Sequence, residues 1–427
     1  MSFILQIRKK DSLFVMLYCV TMFVLLLDQV GLLPLAEIFR KIKYVYIIVM
    51  MVLCLGRARI AKAWLPSIFI FILLFIHTIL FGFVITNKIV AGETLEHAAQ
   101  MLVYLVMAFV TYYYIIINDS LGVFVDATYM VSSLQMLLTA FYYRSQFVNP
   151  LWGLYQTFAG GHRYKVAFGF VHPGYLSNAC YFTLILSIIF WEIHKHEINE
   201  KKKQIILGIC AIDGVIVMML LSSAQRSGIL ATVIALFIYW ITLNKNKRIY
   251  RFLKVIIPLA LPFIIISFRV NDVWNYIWDN SNRSLNISVN YPVFREIGNL
   301  WTGMGFVESS GFIKDNSVFG ITTSSLDMYY VYIFFTTGII GCVIIGSALI
   351  ILTVCIYKSP KNEFRNAISA LYISILFFAF WQCNLFTYRY VSSFFVQVLL
   401  LSAISCKCTI RSTANRLGRN LYAGCKQ

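Results

Sequence analysis

The sequence predicts an all-α, polytopic membrane protein with about twelve spanning helices and one large extramembrane loop. Three observations carry that reading. Of 427 residues, 60% are hydrophobic and only 13% charged, with a mean hydropathy of +0.77. The apolar residues fall into runs of about 20, the length an α-helix needs to cross the hydrocarbon core. One long polar interval, 269–327, breaks the series. Residues 1–427 therefore read as a single transmembrane domain, with 269–327 as an extracytoplasmic cap between the ninth and tenth spans. The several soluble domains that this length would otherwise suggest are excluded.

In chain order, the spans are expected near 12–33, 42–56, 64–86, 98–117, 121–143, 170–191, 205–222, 228–243, 252–268, 328–357, 366–383 and 390–406. The second is short, and eleven spans is the alternative if it only dips into the bilayer. The tenth is long enough to hold an interfacial turn. Lysine and arginine set the orientation, because they collect in cytoplasmic loops. With both termini cytoplasmic, 23 of the 36 lysines and arginines lie inside; Arg40, Lys41 and Lys43 are the one outer cluster against the rule. No small-residue cleavage site follows the first span, so no cleaved signal peptide is expected. The net charge of +18 raises the question of nucleic acid, but no basic run is dense enough to track a duplex. Most of the ten cysteines sit inside apolar spans, where they act as small hydrophobes.

This topology sends four stretches to the outer side: Arg144–Val171, Ser222–Gly228, the large loop and Asn384–Arg389. The tight turn Ser222-Ser223-Ala224-Gln225-Arg226-Ser227-Gly228 places Arg226 where it must pair, snorkel to headgroups or bind an anion. Its planar fork suits a phosphate. Arg163 and Lys165 precede Phe168-Gly169-Phe170-Val171-His172-Pro173-Gly174, a Pro-Gly break that could aim a helix N-terminus at an anion. An ordinary basic loop with a helix-start proline gives the same pattern. His162 and His172 could act as acid or base, or as hydrogen-bonding bystanders.

Within the loop, Asn290-Tyr291-Pro292 followed by Phe294-Arg295-Glu296-Ile297 reads as a helix start. That helix is expected to run to about Trp301, project Arg295 into a cavity, and end at a flexible Gly303-Met304-Gly305 turn. A salt bridge to a loop carboxylate is the plainer use of Arg295. Trp152, Tyr155, Trp274, Trp278 and Trp301 suit sugar faces and equally the interfacial aromatic belt. Ser324 and Asp327 have the spacing of a capping box just before Tyr329; alternatively, Asp327 is a general base for a sugar hydroxyl. Asp213, mid-span, is either a hydrogen-bonded structural carboxyl or a proton relay of a transporter. No carboxylate cluster with metal spacing appears outside the membrane, and no cofactor is expected.

These pieces resemble the O-antigen polymerase and ligase families, the Wzy-type polysaccharide polymerases in particular. The resemblance rests on Arg163 to Gly174, the Ser-x-x-Arg-Ser-Gly of Ser222–Gly228, Arg295, Trp301 and Gly303-Met304-Gly305, the helix beginning at Asp327, and Gly338-Ile339-Ile340-Gly341. It covers about residues 160–345. It implies a GT-C-like fold and a metal-independent transfer of glycan from undecaprenyl diphosphate to an acceptor hydroxyl, outside the bacterial cytoplasmic membrane. The substrate is then an undecaprenyl-diphosphate-linked oligosaccharide in membrane lipid, with a flippase and a chain-length regulator as further partners. Arg226 and Arg295 are implied to hold the diphosphate. Arg163, Lys165, His172, Arg283, Trp301 and Tyr329 complete the substrate site, and Asp327 takes the place where ligases carry a histidine. That difference tilts the reading from ligase to polymerase.

Overall fold

The computed structural model of the chain describes residues 11–32, 40–55, 61–85, 91–158, 165–195, 202–243, 291, 294–295, 298–306, 328–359, 363–382, 385–387 and 390–405. The expected span at 252–268 and most of the 269–327 loop lie outside the described residues. Regular structure among the described residues is helical, apart from an isolated bridge between Asn299 and Gly303. The helices are α1 Ser12–Gln29, α2 Ile42–Cys54, α3 Leu65–Ile79, α4 Ala91–Asn118, α5 Leu121–Tyr142 and the short α6 Pro150–Phe158. They continue with α7 Pro173–His194, α8 Lys202–Ser222, α9 Arg226–Leu243, α10 Tyr329–Lys358, α11 Glu363–Phe378 and α12 Val391–Ser405. A π-helical turn, Leu80–Val84, prolongs α3.

Eleven of the predicted spans coincide with helices, and eight of those helices are long and apolar enough to cross a membrane. The shorter apolar ones are α2, α11 and α12. Large apolar side chains also cover the outside of the bundle: Met16, Val52, Leu207, Val343 and Ile350 are all exposed. A water-facing surface would not carry so continuous an apolar cover, whereas lipid accepts it.

The interior is rich in aromatic residues, and its hydroxyls are matched helix to helix. Thr128 and Thr111 donate back to Phe124 and Met107 carbonyls one turn earlier, which leaves their oxygens free to accept from Tyr18 (2.7 Å) and Tyr46 (2.8 Å). Helix α12 is the axis. All but one of its residues are buried, and it touches α1, α3, α4, α5, α7, α10 and α11.

Hydrogen bonds fix which helix ends lie together. Ser120 at the α4–α5 turn and Tyr114 both donate to Asp11 at the start of α1. Ser67 at the start of α3 meets Ser405 at the end of α12 (2.6 Å). Asp126 in α5 pairs with His194 at the end of α7 (2.7 Å), and Asn366 of α11 donates to the Thr242 carbonyl of α9 (3.3 Å). These bonds make α4 and α5, α5 and α7, α3 and α12, and α9 and α11 antiparallel. The ends of α5, α8 and α11 and the starts of α7, α9, α10 and α12 share the opposite end, called the mouth below.

Candidate functional site

One side of the mouth is built where α7, α9 and α11 meet. The segment between α5 and α7 folds back over it: Phe168 N–H donates to Gln146 Oε1 (2.8 Å), Phe147 packs edge-on to Phe168, and Val148 N–H donates to Ser222 Oγ (3.2 Å). At the head of α7, His172 is the N-cap, its Nδ1 accepting from Gly174 N–H at 3.0 Å, and Pro173 fills the first helical position. His172 thus has a structural task, and its ring proton in this arrangement is on Nε2. One turn on, Ser177 lies directly against Gly228 of α9; a Cβ on that glycine would sit 2.6 Å from the serine Cβ.

Arg226 is the first residue of α9, half-buried, two residues before that contact. Helices α9 and α11 run antiparallel from the Thr242–Asn366 bond. Gln382 lies four residues beyond the last residue of α11. Its side chain lies against Gly174, and its Oε1 accepts from Tyr390 OH (3.1 Å), whose ring lies tilted against Tyr175 at 4.4 Å.

Two side-chain amides at this side are buried with no hydrogen-bond partner among the described residues: Gln225 Nε2, beside Arg226, and Asn178 Nδ2, beside Ser177. Buried amide donors are costly when unmatched. With Arg226 they make three nitrogen donors within one turn of the α7–α9 contact. The sequence reading missed Asn178, Gln382 and Tyr390; only contact between distant segments gives them a place at the mouth.

The other side is built on a break in α10. Gly338 has φ +61° and ψ −160°, a conformation closed to residues with a Cβ, and it interrupts the helix nine residues from its start. The freed backbone groups are taken up by residues 299–306. Met304 and Gly305 N–H donate to the Phe335 and Thr336 carbonyls, both at 2.9 Å. In return, Ile339 and Ile340 N–H donate to the Leu300 (3.0 Å) and Trp301 (3.1 Å) carbonyls. Four of the backbone groups freed by the break are thereby paired within the protein, as irregular backbone in a membrane protein requires.

This overturns two expectations. The Gly303-Met304-Gly305 stretch is no flexible turn; all three residues are buried, and Gly303 (φ +72°) lies directly on the Thr336–Thr337 backbone. Nor does the preceding helix run to Trp301. Its last helical bond is Gly298 N–H to Phe294 O, and Asn299 already pairs with Gly303. Phe294 is buried against Phe335 (5.0 Å), while Arg295 and Trp301 stand exposed beside it.

The turn that follows α11 joins the two sides. Ala379 O accepts from Tyr329 N–H (3.0 Å), and three residues later Gln382 meets Gly174. Tyr329 itself is buried, so its ring lines the protein interior here and not an open surface. Lys165 is exposed just ahead of buried Val166. Arg163, Arg283 and Asp327 lie outside the described residues. His172 and Tyr329 are therefore gathered around the turn after α11, and Arg226 opens α9 two residues before its contact with Ser177, with Arg295 and Trp301 on the limb beyond. Among the described residues no group of three or more histidine, cysteine or acidic side chains could hold a metal ion.

Asp213 lies apart from the mouth. Its Oδ2 accepts from Ser187 Oγ (2.7 Å), and Tyr129 is its neighbour across α5. Toward the mouth the same helix faces carry Met136, Cys180, Leu184, Ile216 and Met219, which pack into one apolar layer. Scans against protein-family models and against curated proteins find no match to this chain.

Proposed function

We propose that the chain is a polysaccharide polymerase of the bacterial cytoplasmic membrane, with twelve spans, both termini cytoplasmic and the mouth facing outward. It would transfer a glycan from undecaprenyl diphosphate to a hydroxyl on a second lipid-linked repeat unit. The observation that carries the reading is the donor group at the α7–α9 contact: Arg226 with the buried, unmatched amides of Gln225 and Asn178. A guanidinium and two buried nitrogen donors within one turn of the same helix contact suit an anionic, oxygen-rich ligand such as a diphosphate joined to a sugar. Arg295 and Trp301 on the facing limb add a second cation and an exposed indole for a sugar face.

In the step proposed, the acceptor oxygen attacks the anomeric carbon as the bond to the diphosphate oxygen breaks. The electron pair leaves with the diphosphate, and the hydroxyl proton passes to a base, for which Asp327 is the candidate. Diphosphate departs readily once its developing charge is held, so positioned cations carry most of the catalysis and no metal is required.

Arg226→Ala or Arg295→Ala should each abolish long polymer while single repeats still reach the surface, a loss of at least about 100-fold in transfer. Normal chain lengths in both variants would end the assignment. A ligase would be told apart by a deletion strain that accumulates long chains on the carrier lipid. The transport reading needs Asp213 to communicate with the mouth, and the apolar layer between them speaks against it. Export lost in Asp213→Asn, with both arginines dispensable, would reverse that judgement.

A further inference from the structure

We infer that His77 is a positioning residue, pinning the 299–306 limb to the break in α10 and so fixing where Trp301 and Arg295 stand. Its structural part is independent of the function proposed above; its effect on transfer rests on that reading. His77 is in α3, 1% exposed, and reaches both partners of the joint. On the α10 side, Thr337 precedes Gly338. Its hydroxyl donates to the Ile333 carbonyl at 2.7 Å, so its oxygen is left to accept, and His77 Nε2 lies 3.3 Å away. The imidazole proton is thereby assigned to Nε2. On the limb side, the Phe306 ring meets the imidazole edge-on at 5.4 Å, and Phe81 closes the other flank at 5.2 Å. The ring also lies over Gly341, where a Cβ would come within 3.3 Å of Nε2.

Two buried atoms around this joint have no partner among the described residues: His77 Nδ1 and Thr94 Oγ1, the latter against Gly305. A leucine at position 77 would fill similar space without an unmatched ring nitrogen. The histidine therefore makes sense through the bond of its other nitrogen to Thr337. None of the four backbone bonds of the joint has a side chain in it, so packing around it, from His77 as well as from the Phe294, Met304 and Phe335 cluster, decides how tightly they stay closed.

The test is hydrogen–deuterium exchange of the full chain in lipid nanodiscs, read by mass spectrometry on peptides covering 299–306 and 335–341. In His77→Ala the amides of Met304, Gly305, Ile339 and Ile340 should exchange at least about tenfold faster. His77→Gln, which can still present an N–H to Thr337, should recover most of the protection. Thr337→Val removes the acceptor at nearly constant volume and should reproduce the loss, while peptides from α7 and α9 stay at wild-type rates. Should every peptide accelerate in His77→Ala, the fold has been lost and Thr337→Val decides alone. Unchanged protection in Thr337→Val overturns the inference. With a lipid-diphosphate glycan as donor, His77→Ala should raise the donor KM about tenfold, and His77→Gln should restore it. If the wild-type chain transfers no glycan, the polymerase reading falls and the exchange result stands by itself.

Discussion

On the α7–α9 side of the mouth, side chains hold the site together: a histidine cap, a Gln382–Tyr390 bond, and a serine set against a glycine. On the α10 side the peptide backbone does the same work, through four bonds between residues 300–305 and 335–340. Side-chain contacts can relax by rotating about χ angles, at a cost of order 1 kcal/mol for a modest departure from a rotamer. A backbone joint cannot, because each opened N–H or C=O would be left without its partner at a buried joint. The first side should therefore tolerate small substitutions, and the second should fail at the first added methyl.

Gly338→Ala is the strongest test of that difference. The added Cβ would lie 2.5 Å from the Trp301 carbonyl carbon and oxygen, atoms already engaged in the joint, and the alanine would also have to adopt φ +61°. Strain of that kind costs about 1–3 kcal/mol and overpacking adds a similar amount, so a loss of about 3 kcal/mol or more is expected. It should appear as a lower thermal midpoint in detergent and as rapid exchange confined at first to 299–306. A variant that melts with the wild type would break the comparison at its most exposed point.

How much of this was legible in the sequence follows the same divide. The spans were readable because runs of about 20 apolar residues leave few alternatives in a bilayer. Pro173-Gly174 and the Ser222–Gly228 turn were readable because capping and close approach demand particular residue types. The α10 joint left only Gly303, Gly305 and Gly338 as a trace, and glycines alone fit a flexible turn as well as a pinned one. Backbone pairing places no demand on the side chains of Leu300, Met304 or Ile339. His77 was hidden for a related reason, since a lone histidine in an apolar run shows no partner until Thr337, 260 residues away, is folded against it.

Gly228→Ala comes next in size. Its Cβ would meet the Ser177 Cβ at 2.6 Å and the Ser177 carbonyl oxygen at 3.2 Å, neither of which can swing aside. Separating α7 from α9 should cost about 2 kcal/mol, offset by up to about 1 kcal/mol of helix propensity. The net loss, about 1 kcal/mol, should shift the thermal midpoint less than Gly338→Ala does. Transfer should suffer more than stability, because the start of α9 carries Arg226. An intact donor KM in Gly228→Ala would show that the α7–α9 contact does not position the arginine.

The smallest effect is expected at Gly174→Ala, and it sharpens the comparison most because the crowding looks equally severe. A Cβ there would come within 2.9 Å of Gln382 Nε2, 3.0 Å of Gln382 Oε1 and 2.9 Å of His172 Nδ1. Those atoms are the far ends of side chains with rotatable bonds, whereas Gly338 would press on peptide. Gln382 can withdraw, at the expense of its bond from Tyr390, a net loss of about 1 kcal/mol. Alanine in the first turn of α7 returns a comparable amount in helix propensity. Stability should therefore stay within about 0.5 kcal/mol of wild type, while exchange quickens locally in peptides covering 385–387 and 390. If Gly174→Ala instead melts as low as Gly338→Ala, the two sides of the mouth are equally rigid, and the contrast between side-chain and backbone construction does not govern how this site responds to change.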